Sequence, residues 1–348
     1  MPKFQFAKAL LGWYDLHGRK HLPWQKKISA YRVWLSEIML QQTQVETVIP
    51  YFQRFLRHFP NVKALAQAPE DEVLHLWTGL GYYARARNLH RCAITVSTRY
   101  AGRFPRDVAQ LAQLPGIGRS TAAAIASIAF EAPEAILDGN VKRVLARFHA
   151  VPGWPGLPAV EKTLWAHAEG HVPRSRNRDY TQAIMDLGAT LCTRSKPSCH
   201  ACPLNGHCLA HARGEEHLYP GKKEKKAKPE RSRVFLALMN SNNEILLEKR
   251  PAQGIWGGLW SLPEYDPDED IRGEVERRFG KLRSLSQLAP MRHEFSHYSL
   301  VIHPHLAKLG KVAHSAMEAD KQLWYTPDQG LRLGLAAPVV KLLGELYA

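Results

Sequence analysis

The sequence predicts two domains of different class, an all-α domain followed by an α+β domain. Three observations carry this. At 348 residues the chain exceeds what one core usually organises. Up to about residue 212 apolar residues recur at helical spacing, as in Tyr31, Trp34, Leu35, Ile38 and Met39, then Leu76, and later Ala122, Ile125, Ala126 and Ala129. Beyond residue 233 the pattern shortens to strands at 234–239, 244–248, 298–304 and 322–325, with a helix at 269–279. Between the two, residues 221–233 read GKKEKKAKPERSR, seven basic residues against two acidic ones with no apolar run. Such a segment is a flexible linker that can also follow a phosphate backbone. The expected boundaries are residues 1–212, a basic linker at 213–231, and residues 232–348. No repeat of solenoid period is present.

The formal charge of +15 makes a polyanion the natural partner, because clustered Lys and Arg gain affinity by displacing counterions from phosphates. Charge alone fits an anionic membrane equally well, so the motifs must decide. The first twenty residues interrupt their apolar pattern with Lys3, Lys8, Asp15 and Arg19, unlike the core of a signal peptide. No stretch is long and apolar enough to span a bilayer. A cytoplasmic protein is expected.

Four of the five cysteines are spaced as Cys192-x6-Cys199-x2-Cys202-x5-Cys208. In a reducing compartment, thiols this close are metal ligands more often than disulfides. Four thiolates hold either tetrahedral zinc or an iron–sulfur cubane. Zinc ribbons usually pair two C-x2-C hooks, whereas one hook here is flanked by single cysteines, and the spacing leans towards iron and sulfur. Cys92 lies in a helical pattern and reads as core.

Residues 114–125 read LPGIGRSTAAAI and follow a short amphipathic helix at 108–113. A tight turn between two helices is implied. Gly116 and Gly118 can take positive φ and bring the backbone close to a ligand, while the next helix opens with unpaired N–H groups suited to a phosphate. This is a helix–hairpin–helix pattern, at about residues 107–130, that grips a DNA strand without reading bases. Asp138 follows in ILDGNV, where capping a helix is its commonplace role. Glu37 sits in WLSEIMLQQ among large apolar residues, surroundings that raise a carboxyl pKa and favour a proton donor near neutral pH.

Together, the LPGIG hairpin, Asp138 and the four cysteines, in this order and at these separations, resemble the endonuclease III superfamily of DNA base-excision glycosylases. The resemblance covers the whole helical domain. It implies a 4Fe-4S cluster on Cys192, Cys199, Cys202 and Cys208, a hairpin that binds backbone phosphates, and an aspartate needed for catalysis. Ser120 stands where strand-cleaving members carry the lysine that forms a Schiff base, and a serine cannot form that imine. With Glu37 as second acid in SEIMLQQTQV, the chain resembles adenine DNA glycosylases of the MutY type, which excise adenine and use water. Those enzymes also carry an appended domain similar to the MutT/Nudix fold.

The second domain agrees with that resemblance. The run Trp256-Gly257-Gly258-Leu259-Trp260-Ser261-Leu262-Pro263-Glu264 resembles the entry to a Nudix box, and Arg272 and Glu276 fall near its continuation. Arg277 stands where a second metal-binding carboxylate is expected, which argues for recognition rather than magnesium-dependent hydrolysis. By the same resemblance, Ser296 and His297 in HEFSH sense 8-oxoguanine opposite the target adenine. The resemblance also implies that Tyr82, on the glycine-flanked turn GLGYY, wedges the stack beside that base, with Gln42 entering it from the segment bearing Glu37. Asn140 is expected to hold the acids and water. The expected partner is double-stranded DNA with adenine opposite 8-oxoguanine or guanine, bound by a monomeric, nucleoid-associated enzyme. The rival readings are a strand-cleaving pyrimidine glycosylase, opposed by Ser120, a zinc-stapled DNA-binding module, and a nucleotide pyrophosphohydrolase, weakened by Arg277.

Overall fold

The computed structural model describes residues 4–224, 227–310 and 321–348. Contacts divide the chain into two compact units, residues 1–67 with 88–225, and residues 68–87 with 226–348. The helices in chain order are α1 (Phe6–His17), α2 (Ala30–Leu40), α3 (Val45–His58), α4 (Val62–Gln67), α5 (Glu70–Trp77) and α6 (Ala84–Arg99). They continue as α7 (Val108–Ala112), α8 (Arg119–Phe130), α9 (Gly139–Phe148), α10 (Pro158–Gly170), α11 (Asn177–Thr190) and α12 (Leu209–Ala212). α5 belongs to the second unit.

The helix starts follow local chemistry. Ser29 caps α2 by accepting from Arg32 N–H, Asp107 caps α7 at 2.8 Å from Gln110 N–H, and Pro158 opens α10, where a missing N–H costs nothing. In the first unit α8 packs against α2 and α11. Its run Ala122–Ala126 is buried, and small side chains let the neighbouring backbones approach closely. Trp34 and Leu35 on α2, with Phe52 and Phe55 on α3, are fully buried in this unit, each contributing about 2 kcal/mol by leaving water.

The second unit is one mixed sheet. Its strands are β1 (Glu230–Met239), β2 (Ile245–Lys249), β3 (Trp260–Ser261), β4 (Glu264–Tyr265), β5 (Leu282–Gln287), β6 (Met291–Glu294), β7 (Ser299–Leu309) and β8 (Gln322–Tyr325). The central path runs β3-β2-β1-β7-β5, with β4 on β1, β6 on β7 and β8 on β2. β1 and β7 pair in parallel over their length, and the other named pairings are antiparallel. Helix α13 (Ile271–Phe279) lays Ile271, Val275 and Phe279 on Val234, Leu236, Leu246 and Leu309, and α14 (Ala337–Leu346) ends the chain's regular structure. The strands expected from the sequence lie within β1, β2, β7 and β8 to within a residue or so. β1 begins at Glu230, so the end of the basic segment expected to be a linker is already paired, Glu230 with Ser299.

No described helix is long and apolar enough to cross a membrane.

Candidate active site and iron–sulfur centre

A cleft of about 920 Å³ opens in the first unit, and Glu37, Gln42, Ser120, Asp138 and Asn140 all line it. α2 delivers Glu37 from its last turns, beside buried Trp34, Leu35, Ile38 and Met39. Its carboxylate has no hydrogen-bond or ion-pair partner among the described residues. Burial first, and the neighbouring Asp138 charge second, push its pKa up to about 8. The two effects act in the same direction, because a low-dielectric wall and a like charge both disfavour the anion.

Asp138 has the opposite surroundings. Its Oδ1 accepts from Val141 N–H at 2.8 Å as the cap of α9, and Oδ2 accepts from Asn140 Nδ2 at 3.3 Å. Burial raises its pKa, while these donors and Arg143 pull it back. The commonplace role of a cap therefore holds, and the same side chain still faces the cleft. Asn140 is fixed from its other end, since Arg143 Nη2 donates to its Oδ1 at 2.8 Å.

Ser120 joins the hairpin to the acid: its Oγ accepts from Leu137 N–H at 3.0 Å, one residue before Asp138. In the turn between α7 and α8, Gly116 adopts φ +76, and a Cβ there would lie 2.7 Å from Asn88 Cβ. Gly118 corrects the expectation of positive φ. It caps α8 with extended backbone at φ −89, and open space surrounds the place of its missing Cβ. Gln42, just past α2, is exposed on the cleft rim at φ +60.

Several cleft residues escaped the sequence reading. Asp186 is 1% exposed and takes Arg19 by two side-chain bonds, at 2.7 and 2.9 Å, and by Arg19 N–H at 2.8 Å. Gln182 Oε1 accepts from Gln25 Nε2 at 2.8 Å. Leu22 and Trp24 add an apolar wall. The only sequence signal was polar residues on the otherwise apolar face of α11, and their partners lie more than 150 residues away.

α9 also carries the cysteine loop. Arg147, 3% exposed, donates to the carbonyls of Thr193 at 2.7 Å, Arg194 at 3.1 Å, and Glu216 and Tyr219 at 3.0 Å each, and its Nη1 lies 3.3 Å from Cys192 Sγ. Arg143 reaches the same loop through Cys192 O at 2.7 Å and Gly188 O at 2.6 Å. Both arginines sit beside the apolar stripe Val141, Val144, Leu145 and Phe148, a position that a surface cation would avoid. All four cysteines are free of disulfides and wall one small cavity of about 30 Å³. Burial pushes Cys199 up to about 12 and Cys202 up to about 11, so a bound cation must displace the protons before these sulfurs act as thiolate ligands. Four soft sulfurs with a buried arginine beside them fit an iron–sulfur cluster, whose negative core needs such donors.

Tyr82 belongs to the second unit. It is 48% exposed at φ +49, and Arg85 fixes its turn by donating to Leu80 O and Gly81 O while lying 5.6 Å from the tyrosine ring centre. Ser296 and His297 form the exposed turn between β6 and β7, closed by Phe295 N–H to Tyr298 O at 3.0 Å. In the segment that resembles a Nudix box, Glu264 pairs with Arg250 and accepts from Ser261 at 3.4 Å. On α13, Arg277 pairs with Glu274, and Arg272 with Glu276 at 3.4 Å. Each of these three carboxylates has an arginine partner.

Comparison with known proteins agrees with this geometry. Residues 35–169 match the HhH-GPD superfamily of base excision DNA repair proteins, residues 192–208 the iron–sulfur binding domain of endonuclease III, and residues 234–345 the NUDIX domain. The adenine DNA glycosylase of Buchnera aphidicola from Acyrthosiphon pisum is 39% identical over 343 residues, covering 99% of this chain and 98% of that protein. The human adenine DNA glycosylase is 36% identical over 357 residues, 85% of this chain and 65% of that one. Among solved structures, a thermostable thymine-DNA glycosylase superposes with a TM-score of 0.53 at 28% identity, over 60% of this chain and 95% of that one. An endonuclease III–DNA complex shares the fold at a TM-score of 0.51 and 20% identity, over 60% and 94%. The thymine-DNA glycosylase likeness covers 60% of the chain, whereas likeness to an adenine glycosylase runs the full length and decides the base. The chain belongs to the adenine DNA glycosylases, hydrolases of base-excision repair built from a helix–hairpin–helix domain, an iron–sulfur loop and a Nudix-like domain.

Proposed function

We propose that the enzyme is a monofunctional glycosylase that removes adenine opposite 8-oxoguanine or guanine and leaves an abasic site. The observation that carries the reading is the contrast on one cleft wall: Glu37 without a partner and raised to about 8, Asp138 held by donors. An adenine inside the duplex must first be extruded into the cleft. Glu37 then gives its proton to N7 of the base, and the N-glycosidic electron pair leaves with N9. C1′ becomes cationic, and the Asp138 carboxylate stabilises it directly or by a transient ester. Glu37, now an anion, takes a proton from the water that attacks C1′ and frees Asp138. Asn140 keeps Asp138 oriented through its 3.3 Å bond. Ser120 supports the monofunctional reading, because its hydroxyl offers no imine and is engaged with Leu137 N–H.

The remaining residues bind DNA. Gly116 and Gly118, before the open amides of α8, grip backbone phosphate. Tyr82 and Gln42 enter the stack beside the opposite base, their exposure and left-handed backbones placing them at turn tips. Ser296 and His297 read 8-oxoguanine. With Arg277 facing Glu274 and Glu264 neutralised by Arg250, the Nudix-like unit is a recognition module. The enzyme works as a monomer on cytoplasmic, nucleoid DNA.

The test is a duplex holding one adenine opposite 8-oxoguanine. Strand breakage at adenine only after alkali is expected. Breakage before alkali, or at the damaged guanine, would contradict the reading.

A further inference from the structure

Between β2 and β3 the second unit makes a run of tight turns in which Gly254 and Gly258 take positive φ, and so does Trp256, at φ +52. A bulky side chain is a rare occupant of that region and stays there only when its surroundings over-determine it. Here they do. Gly258 N–H donates to Pro251 O at 3.1 Å, Leu259 N–H to Trp256 O at 3.0 Å, and Arg250 Nε to Ile255 O at 3.0 Å. The indole, 9% exposed, lies 5.0 Å from the Phe295 ring, 5.2 Å from His293 and 6.3 Å from Phe235.

Phe295 is the root of the turn that carries Ser296 and His297. Its carbonyl accepts from Lys228 Nζ at 2.8 Å, and its ring meets Tyr298 at 4.7 Å. Further out, Ser296 Oγ meets His297 Nδ1 at 3.4 Å, and the His297 ring reaches Tyr298 at 4.9 Å and Phe295 at 6.3 Å. The exposed tip therefore draws its placement from Phe295 and Tyr298, and Phe295 draws its own from Trp256 and His293.

We infer that Trp256 is a positioning residue for discrimination of the base opposite adenine: its strained backbone fixes the indole against Phe295, and so fixes the Ser296–His297 tip. This rests on the reading of Ser296 and His297 given above. Telling 8-oxoguanine from guanine depends on hydrogen bonds to a few atoms of the damaged base, and such bonds fail when their donor shifts by a fraction of an ångström. A Trp256 that merely filled the core would affect both substrates alike.

The experiment measures single-turnover adenine release by the full-length enzyme from two duplexes, adenine opposite 8-oxoguanine and adenine opposite guanine. Trp256→Leu is expected to lower the ratio of the two rates about tenfold, chiefly by slowing the 8-oxoguanine duplex, as misplaced binding groups do. Trp256→Phe should restore most of the ratio. Phe295→Leu breaks the same contact from the other side and serves if Trp256→Leu does not fold. Ser296→Ala and His297→Ala separate the two ideas. If they lower the ratio while Trp256→Leu and Phe295→Leu leave it at the wild-type value, or slow both duplexes equally, the positioning role of Trp256 is wrong and the tip stands. If the tip variants also leave the ratio unchanged, the reading of the tip falls and the inference with it.

Discussion

Glu37 and Glu264 are both half-buried carboxylates, one in each unit, and the protein treats them in opposite ways. Glu37 faces the cleft with only a like charge for company, and its pKa rises to about 8. Glu264 is also pushed up by burial, but Arg250, Ser261 and Arg233 pull it back. A buried carboxylate that is to hold structure is paired, because stranding the anion is costly, and one that is to hold a proton is left alone. On the proposed mechanism the chemistry belongs to the unit whose carboxylate is left unpaired, and the contrast between the two is electrostatic.

The comparison breaks hardest at Glu37. Glu37→Gln should retain duplex binding and lose adenine release by about 10²- to 10⁴-fold in single-turnover assays, the scale of general acid–base catalysis. Asp138→Asn should lose at least as much. Near-normal release by either would remove the acid pair from the mechanism. At Glu264 the expected loss is of stability instead. Arg250→Met strands a carboxylate and should cost about 2 kcal/mol in urea unfolding, solvent access softening the penalty, with adenine release from an adenine–guanine duplex little altered.

Proton occupancy sharpens the contrast. The donor form of Glu37 is lost as pH passes about 8, so the single-turnover rate should fall above that value. A rate flat to pH 10 would contradict a Glu37 donor. A further effect is on stability. Folded Glu37 keeps its proton up to about pH 8 whereas the unfolded carboxyl gives it up in the ordinary carboxylate range, so the unfolded state binds fewer protons between those limits. Wild-type stability therefore falls across that window through this group, and Glu37→Gln, which cannot titrate, should gain melting temperature over wild type as pH rises from 5 to 8. A constant difference would mean that Glu37 is ionised.

How far the sequence spoke depended on the range of the interactions involved. The cysteine spacing, the hairpin and the Asp138 cap are written within a few residues of themselves, and pattern suffices to find them. Glu37 was legible because its helix neighbours are large and apolar, so its burial followed from periodicity. Arg19, Gln182 and Asp186 were not legible, because their meaning lies in partners brought together only by the packing of α1 and the following loop on α11. Arg143 and Arg147 carry no signal in the sequence, because their partners lie in the cysteine loop that folds onto α9. The short strands β3 to β6 went unseen for a related reason. β3 and β4 are two residues each, too short to alternate, and the polar stretches of β5 and β6 become strands by pairing with β7. At Gly118 the freedom to take positive φ goes unused, and the place of its missing Cβ is open space.

Asp138 also starts α9, and the far end of that helix clamps the cysteine loop through Arg147. This coupling bears on how inactivating variants at the site are to be interpreted. Asparagine caps a helix about as well as aspartate, whereas alanine does not. Loss of activity in Asp138→Asn can therefore be assigned to the missing charge, while in Asp138→Ala a frayed helix and a loosened metal loop are mixed into the same number. A side chain at this position must therefore meet two demands at once, capping α9 and, on the proposed mechanism, supplying negative charge to the cleft.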